Sequence, residues 1–60
     1  MRLVKFEMAS GGEVYINPDY VVTIQEFIGP LTMIELRGKE KYYVKGTPEE
    51  VAAKLSAGGT

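Results

Sequence analysis

Residues 47–59 read TPEEVAAKLSAGG, and this is the clearest local signal in the chain. Thr47 stands where an N-cap belongs, Pro48 occupies the first helical position, and Glu50 three residues after the cap completes a capping box. Glu49 and Glu50 also place negative charge at the positive end of the helix dipole. Gly58 is a fitting stop. The spacing predicts a helix over 48–57, about 15 Å long at 1.5 Å per residue. Its apolar stripe is Val51 and Leu55, joined by Ala52. A helix this short does not persist in water by itself, so it must lay that stripe on something apolar.

Upstream residues supply the surface. Val4, Phe6 and Met8 alternate with Lys5 and Glu7, and Val14 and Ile16 alternate with Glu13 and Tyr15, the period of two that marks half-buried strands. Facing Met8 with Val14 and Phe6 with Ile16 leaves the loop Ser10-Gly11-Gly12, with Gly12 as the left-handed residue of a G1 bulge. Asn17-Pro18-Asp19 then reads as a type I turn that redirects the chain. Beyond it, YVVTIQEFI puts Val22 and Ile24 on one face, and LTMIELR does the same for Ile34 and Leu36. A two-residue turn at Gly29-Pro30 would mix core and solvent faces, so an odd loop or a bulge is expected there. By the same parity Leu36 faces Tyr42 and Ile34 faces Val44, leaving Tyr43 outward.

The expected fold is therefore α+β and mostly β: an antiparallel meander of about five strands, open or curled into a small barrel, with one C-terminal helix. It makes one small domain over 1–57 with a frayed tail at 58–60. A chain of sixty residues buries only roughly 60% of its unfolded surface, which makes a marginal core. A meander also leaves two edge strands to be covered, charged or paired.

Composition narrows function by exclusion. The chain has no histidine and no cysteine, so the commonest general base, the best transition-metal ligands, disulfides and thiol nucleophiles are missing. No enzyme, metal site or cofactor is expected. SGGE lacks the Lys-Ser/Thr of a phosphate loop, and Asn17-Pro18-Asp19 lacks the further oxygens of a calcium loop. Seven basic against eight acidic residues disfavour a nucleic-acid binder and a polybasic membrane anchor. No apolar run is long enough to insert in a membrane, and the N-terminus lacks a signal-peptide core, so the expected address is the cytoplasm.

Two functional readings remain. Outward aromatics, Tyr15, Tyr20, Phe27 and Tyr43, form the candidate surface for a protein partner or for self-association, with a homo-oligomer through sheet edges expected. The alternative is a small RNA- or DNA-binding regulator in which Arg37, Lys39, Lys41 and Lys45 hold phosphates beside outward tyrosines, although Glu35 and Glu40 interleave with those cations. Asn17, Pro18, Asp19, Thr47 and Glu50 are read as structural.

The segments VYINPDYVVTI, TMIELRGKEKYYV and TPEEVAAKL, spanning residues 14–55, together resemble the small FlbD/SwrD-type proteins encoded in bacterial flagellar operons. Those proteins share the hydrophobic-Asn-Pro-Asp start, a hairpin ending in a Gly turn, and a final Glu-Glu-Val helix. The chain departs from them in FIGPLT, where a Pro-Asp-Thr type turn is usual, and in Gly46, where a charged residue is common. The resemblance implies a non-enzymatic bacterial cytoplasmic protein that supports flagellar motility. It brings no active-site residues with it.

Overall fold

A computed structural model describes residues 2–57, and the expected frayed tail at 58–60 lies outside them. In chain order the elements are β1 (Val4–Glu7), β2 (Glu13–Ile16), a 3-10 turn (Pro18–Tyr20), β3 (Val21–Glu26), β4 (Leu31–Leu36), β5 (Lys41–Lys45) and α1 (Pro48–Ala57). All strand pairs are antiparallel, as the alternation requires. The five strands divide into a two-stranded sheet, β1-β2, and a three-stranded sheet, β3-β4-β5. Among the described residues they do not close into a barrel. A single bridge, Met8 to Val44, and the Ala9 N–H donating to the Tyr43 carbonyl at 2.8 Å tie the end of β1 to the edge of β5.

The β1-β2 and β4-β5 hairpins keep their inward faces but not their predicted register. In β1-β2, Phe6 faces Val14 and Val4 faces Ile16, two residues from the expected pairing. The loop is Ala9-Ser10-Gly11, closed by Gly11 N–H to the Met8 carbonyl and Met8 N–H to the Gly12 carbonyl, both at 3.0 Å. Gly12 has the expected positive φ, +83°, and Gly11, which ends the shifted loop, has φ +99° as well. In β4-β5, Ile34 faces Tyr42 and Thr32 faces Val44, again two residues from expectation. Here the loop tightens to Arg37-Gly38-Lys39, since Leu36 N–H reaches the Glu40 carbonyl at 2.8 Å. A slip of two residues leaves every side chain on its own face, so alternation alone does not choose between such registers.

The β3-β4 hairpin follows the parity argument: Ile24 faces Ile34 across the odd loop Ile28-Gly29-Pro30. It also carries a bulge between Val21 and Thr23. The bulge corrects the reading of Val22, which is 62% exposed, while Val21 packs against the core in its place.

Asn17-Pro18-Asp19 forms the expected turn and extends it into a 3-10 turn. The Asn17 side-chain oxygen accepts from Asp19 N–H at 3.0 Å, and Tyr20 N–H donates to the Asn17 carbonyl at 3.0 Å. The redirection carries the chain out of the two-stranded sheet into the three-stranded one.

Helix α1 has the expected bounds. Its capping box is formed: Glu50 N–H donates to Thr47 Oγ1 at 3.2 Å, and Thr47 N–H to Glu50 Oε1 at 3.0 Å. Gly46, the pivot from β5 into the cap, has φ +114°, and an added Cβ would lie 3.3 Å from that same Glu50 Oε1. That backbone conformation explains a glycine at this position. Val51 is the helical anchor, buried among Val4, Phe6, Ile16, Ile34 and Val44, with Leu55 half-buried beside it. Ala52 is exposed and does not join the stripe. Thr32 is fully buried in this apolar core, its hydroxyl donating to the Gly46 carbonyl at 2.7 Å, which removes the cost of burying a polar group.

Candidate functional site

Strand alternation gives the three-stranded sheet two faces. The inner one, with Thr32, Ile34 and Val44, is sealed by α1 and by β1-β2. The outer one comprises Thr23 and Gln25 of β3, Leu31, Met33 and Glu35 of β4, and Lys41, Tyr43 and Lys45 of β5, aligned by the pairs Gln25–Met33–Tyr43 and Thr23–Glu35–Lys41. Phe27 continues this face, since its N–H donates to the Leu31 carbonyl at 3.0 Å.

The Phe27 and Tyr43 rings meet with centroids 4.7 Å apart and planes tilted by 42°, the tilted contact that aromatic quadrupoles favour. Between their two strands lies β4, whose outward Leu31 and Met33 are half-buried. Phe27 and Tyr43 still expose 43% and 40% of their surface, and Ile28 at the adjoining loop exposes 76%. The result is a contiguous apolar patch on a face that carries no part of the core, the arrangement that marks interaction sites. Lys41 and Lys45 bracket Tyr43 and form no ion pair among the described residues, where the one such pair joins Lys5 and Glu13 at 3.6 Å.

The structure brings together part of the candidate set. Phe27 and Tyr43 converge. Tyr15 stands outward on β2, in the other sheet and opposite Lys5, and Tyr20 ends the 3-10 turn, its carbonyl accepting from Arg37 N–H at 3.0 Å. Of the four cations, Lys41 and Lys45 share the outer face with Tyr43, whereas Arg37 and Lys39 lie in the β4-β5 loop. Asn17, Pro18, Asp19, Thr47 and Glu50 are accounted for by the turn and cap geometry described above. Leu31, Met33 and Ile28 were missed as surface residues. The alternation of LTMIEL held the signal for the first two, because seating Ile34 and Leu36 inward turns Leu31 and Met33 outward.

Away from that face an open groove of about 530 Å3 runs between α1 and the ends of β1 and β5, lined by Phe6 and Val51 among others. Glu7 and Lys45 stand at its rim, and two of its charged groups serve the fold. Glu50 closes the cap, and Lys54 lies 4.8 Å from the Phe6 ring centroid and donates to the Lys5 carbonyl at 2.6 Å. Among the described residues no three carboxylates gather as metal ligands, and no helix is long and apolar enough to cross a membrane.

Neither a curated protein nor a solved structure matches the chain. A family model does, that of FlbD, flagellar and swarming motility proteins, over residues 3–57. That match takes in both sheets, the Asn-Pro-Asp turn and the helix, and so agrees with the resemblance carried by the sequence motifs. The chain belongs to the FlbD family of flagellar and swarming motility proteins.

Proposed function

We propose that this chain supports motility as a non-enzymatic cytoplasmic interaction module, one that docks a protein partner through the outer face of β3-β4-β5. The observation that carries the reading is the contact of Phe27 with Tyr43 above Leu31 and Met33, an apolar surface that the core does not use. Large aromatics contribute more binding free energy than other residues when a partner excludes water from them. The absence of histidine and cysteine agrees with a role without catalysis.

Self-association belongs to the same proposal. β2 and β3 each have one paired neighbour, so each keeps a free edge of backbone donors and acceptors available to a second copy. Complementation of a motility-deficient deletion strain tests the docking reading. The Phe27→Ser/Tyr43→Ser double variant is expected to keep its thermal melt and lose swarming, and full swarming by a folded double variant refutes it. Sedimentation equilibrium across a wide concentration range tests self-association, and a constant mass of 6.6 kDa refutes that part.

A further inference from the structure

We infer that the partner segment received by the outer face is acidic, combining carboxylates with apolar side chains. This rests on the docking reading above and adds the partner's chemistry to it. Lys41 and Lys45 stand two residues to either side of Tyr43 on one strand, so all three project from the same face. Both lysines are exposed and unpaired among the described residues. Among the outward residues of β3, β4 and β5 the one carboxylate is Glu35, half-buried opposite Lys41, and Glu7 of β1 lies beside Lys45 at the rim of the groove along α1. The outward residues of the three strands thus carry two lysines against one glutamate, on a protein whose formal charge is −1. Rim charges of one sign around an apolar centre steer and select a partner of the other sign.

Two other occupants fit less well. A single-stranded nucleic acid needs a track of cations and separate ring faces on which bases stack. Here the two rings lean on each other, and Arg37 and Lys39 sit apart in the loop. A second copy docked through this same face by a two-fold axis would bring lysines toward lysines. The free edges of β2 and β3 are different surfaces and are untouched by that objection.

The test titrates the full chain with fluorescent peptides in which Phe and Leu alternate with Glu, with the same peptides carrying Lys for Glu, and with oligo-uridine and oligo-thymidine. Saturable binding of the acidic peptide is expected, weakened roughly tenfold by Lys41→Glu/Lys45→Glu and abolished by Phe27→Ser/Tyr43→Ser. The charge-reversed protein should in turn prefer the basic peptide. Lys41→Gln/Lys45→Gln, which removes the charge without reversing it, is expected to fall between wild type and the reversal, so a fold lost in one variant does not remove the comparison. Tighter binding of either oligonucleotide than of the acidic peptide overturns the inference, as does absence of saturable binding, equal binding of both peptides, or indifference to the charge reversal. Failure here with swarming still lost in the aromatic double variant leaves the docking reading standing. Swarming retained by that folded variant refutes the docking reading whatever the titration gives.

Discussion

The two faces of the β3-β4-β5 sheet are built from the same strands and both carry large apolar side chains, yet one is sealed and the other open. Inward, Thr32, Ile34 and Val44 have no exposure at all. Outward, Phe27 and Tyr43 touch each other and remain two-fifths exposed. The difference shows that apolar residues in a small domain answer two separate demands. The inner set is large enough to hold α1 and the second sheet, and the outer set adds nothing to that core. Burial of the inner set is free energy of folding, whereas burial of the outer set waits for a partner.

The comparison breaks most sharply at its extremes. Ile34→Ala is expected to cost about 2–5 kcal/mol, because it empties a fully buried site bordered by Val44 and Val51. Tyr43→Ser, on the other face of the same sheet, should change stability by no more than about 1 kcal/mol. Paired urea melts measure both. Equal costs would mean that the outer face is part of the core and would remove the basis for reading it as a docking surface.

Gly46→Ala acts where β5 gives way to the helix that seals the inner face. It forces a side chain into φ +114° and crowds Glu50 Oε1, so a loss of about 1–3 kcal/mol is expected. A denaturation midpoint unchanged from wild type would show that the pivot relaxes freely. Thr47→Ala removes the hydroxyl that accepts from Glu50 N–H and is expected to cost about 1 kcal/mol. Amide exchange sharpens that result: protection should fall first in the helix and on the inner sheet residues beneath it, and uniform loss would contradict a lid that loosens locally.

The smallest effect lies on neither face. Lys39 holds φ +68° without being glycine, in the tight loop that sets the β4-β5 register. Lys39→Gly should stabilise by about 0.5–1 kcal/mol through relief of that backbone strain. A destabilised variant would indicate that the lysine side chain makes a contribution larger than the strain.

Much of this molecule was legible before its structure. The helix bounds and the reciprocal bonds of Thr47 and Glu50 follow from local chemistry, in which every participant lies within a few residues of the others. Inward and outward assignments held for Val4, Phe6, Ile16, Ile34, Tyr43 and Val44, because a strand offers only two directions. Where reading failed, the alternatives were locally equivalent. Gly11 and Gly12 both tolerate positive φ, and both adopt it, so the choice of loop passed to the pairing of Met8 and Ala9 with β5. Val22 was placed inward by alternation, and the bulge that exposes it leaves no trace in composition. Phe27 and Tyr43 were each recognised as outward, but their contact depends on how β3 and β5 lie across β4, a relation between distant segments.

The sequence by itself determined the elements, most of their faces, the cap, the turn at Asn17-Pro18-Asp19, the lack of histidine and cysteine, and the motifs that agree with the FlbD family match. The tertiary structure alone decided the division into two sheets, the registers two residues from expectation, the bulge at Val22, and the assembly of Phe27, Leu31, Met33 and Tyr43 into one surface bracketed by lysines. The physical reason is range. Periodicity and capping are set by neighbours in the chain, while register and sheet order are chosen among near-equal local options by contacts that exist only once remote strands have met.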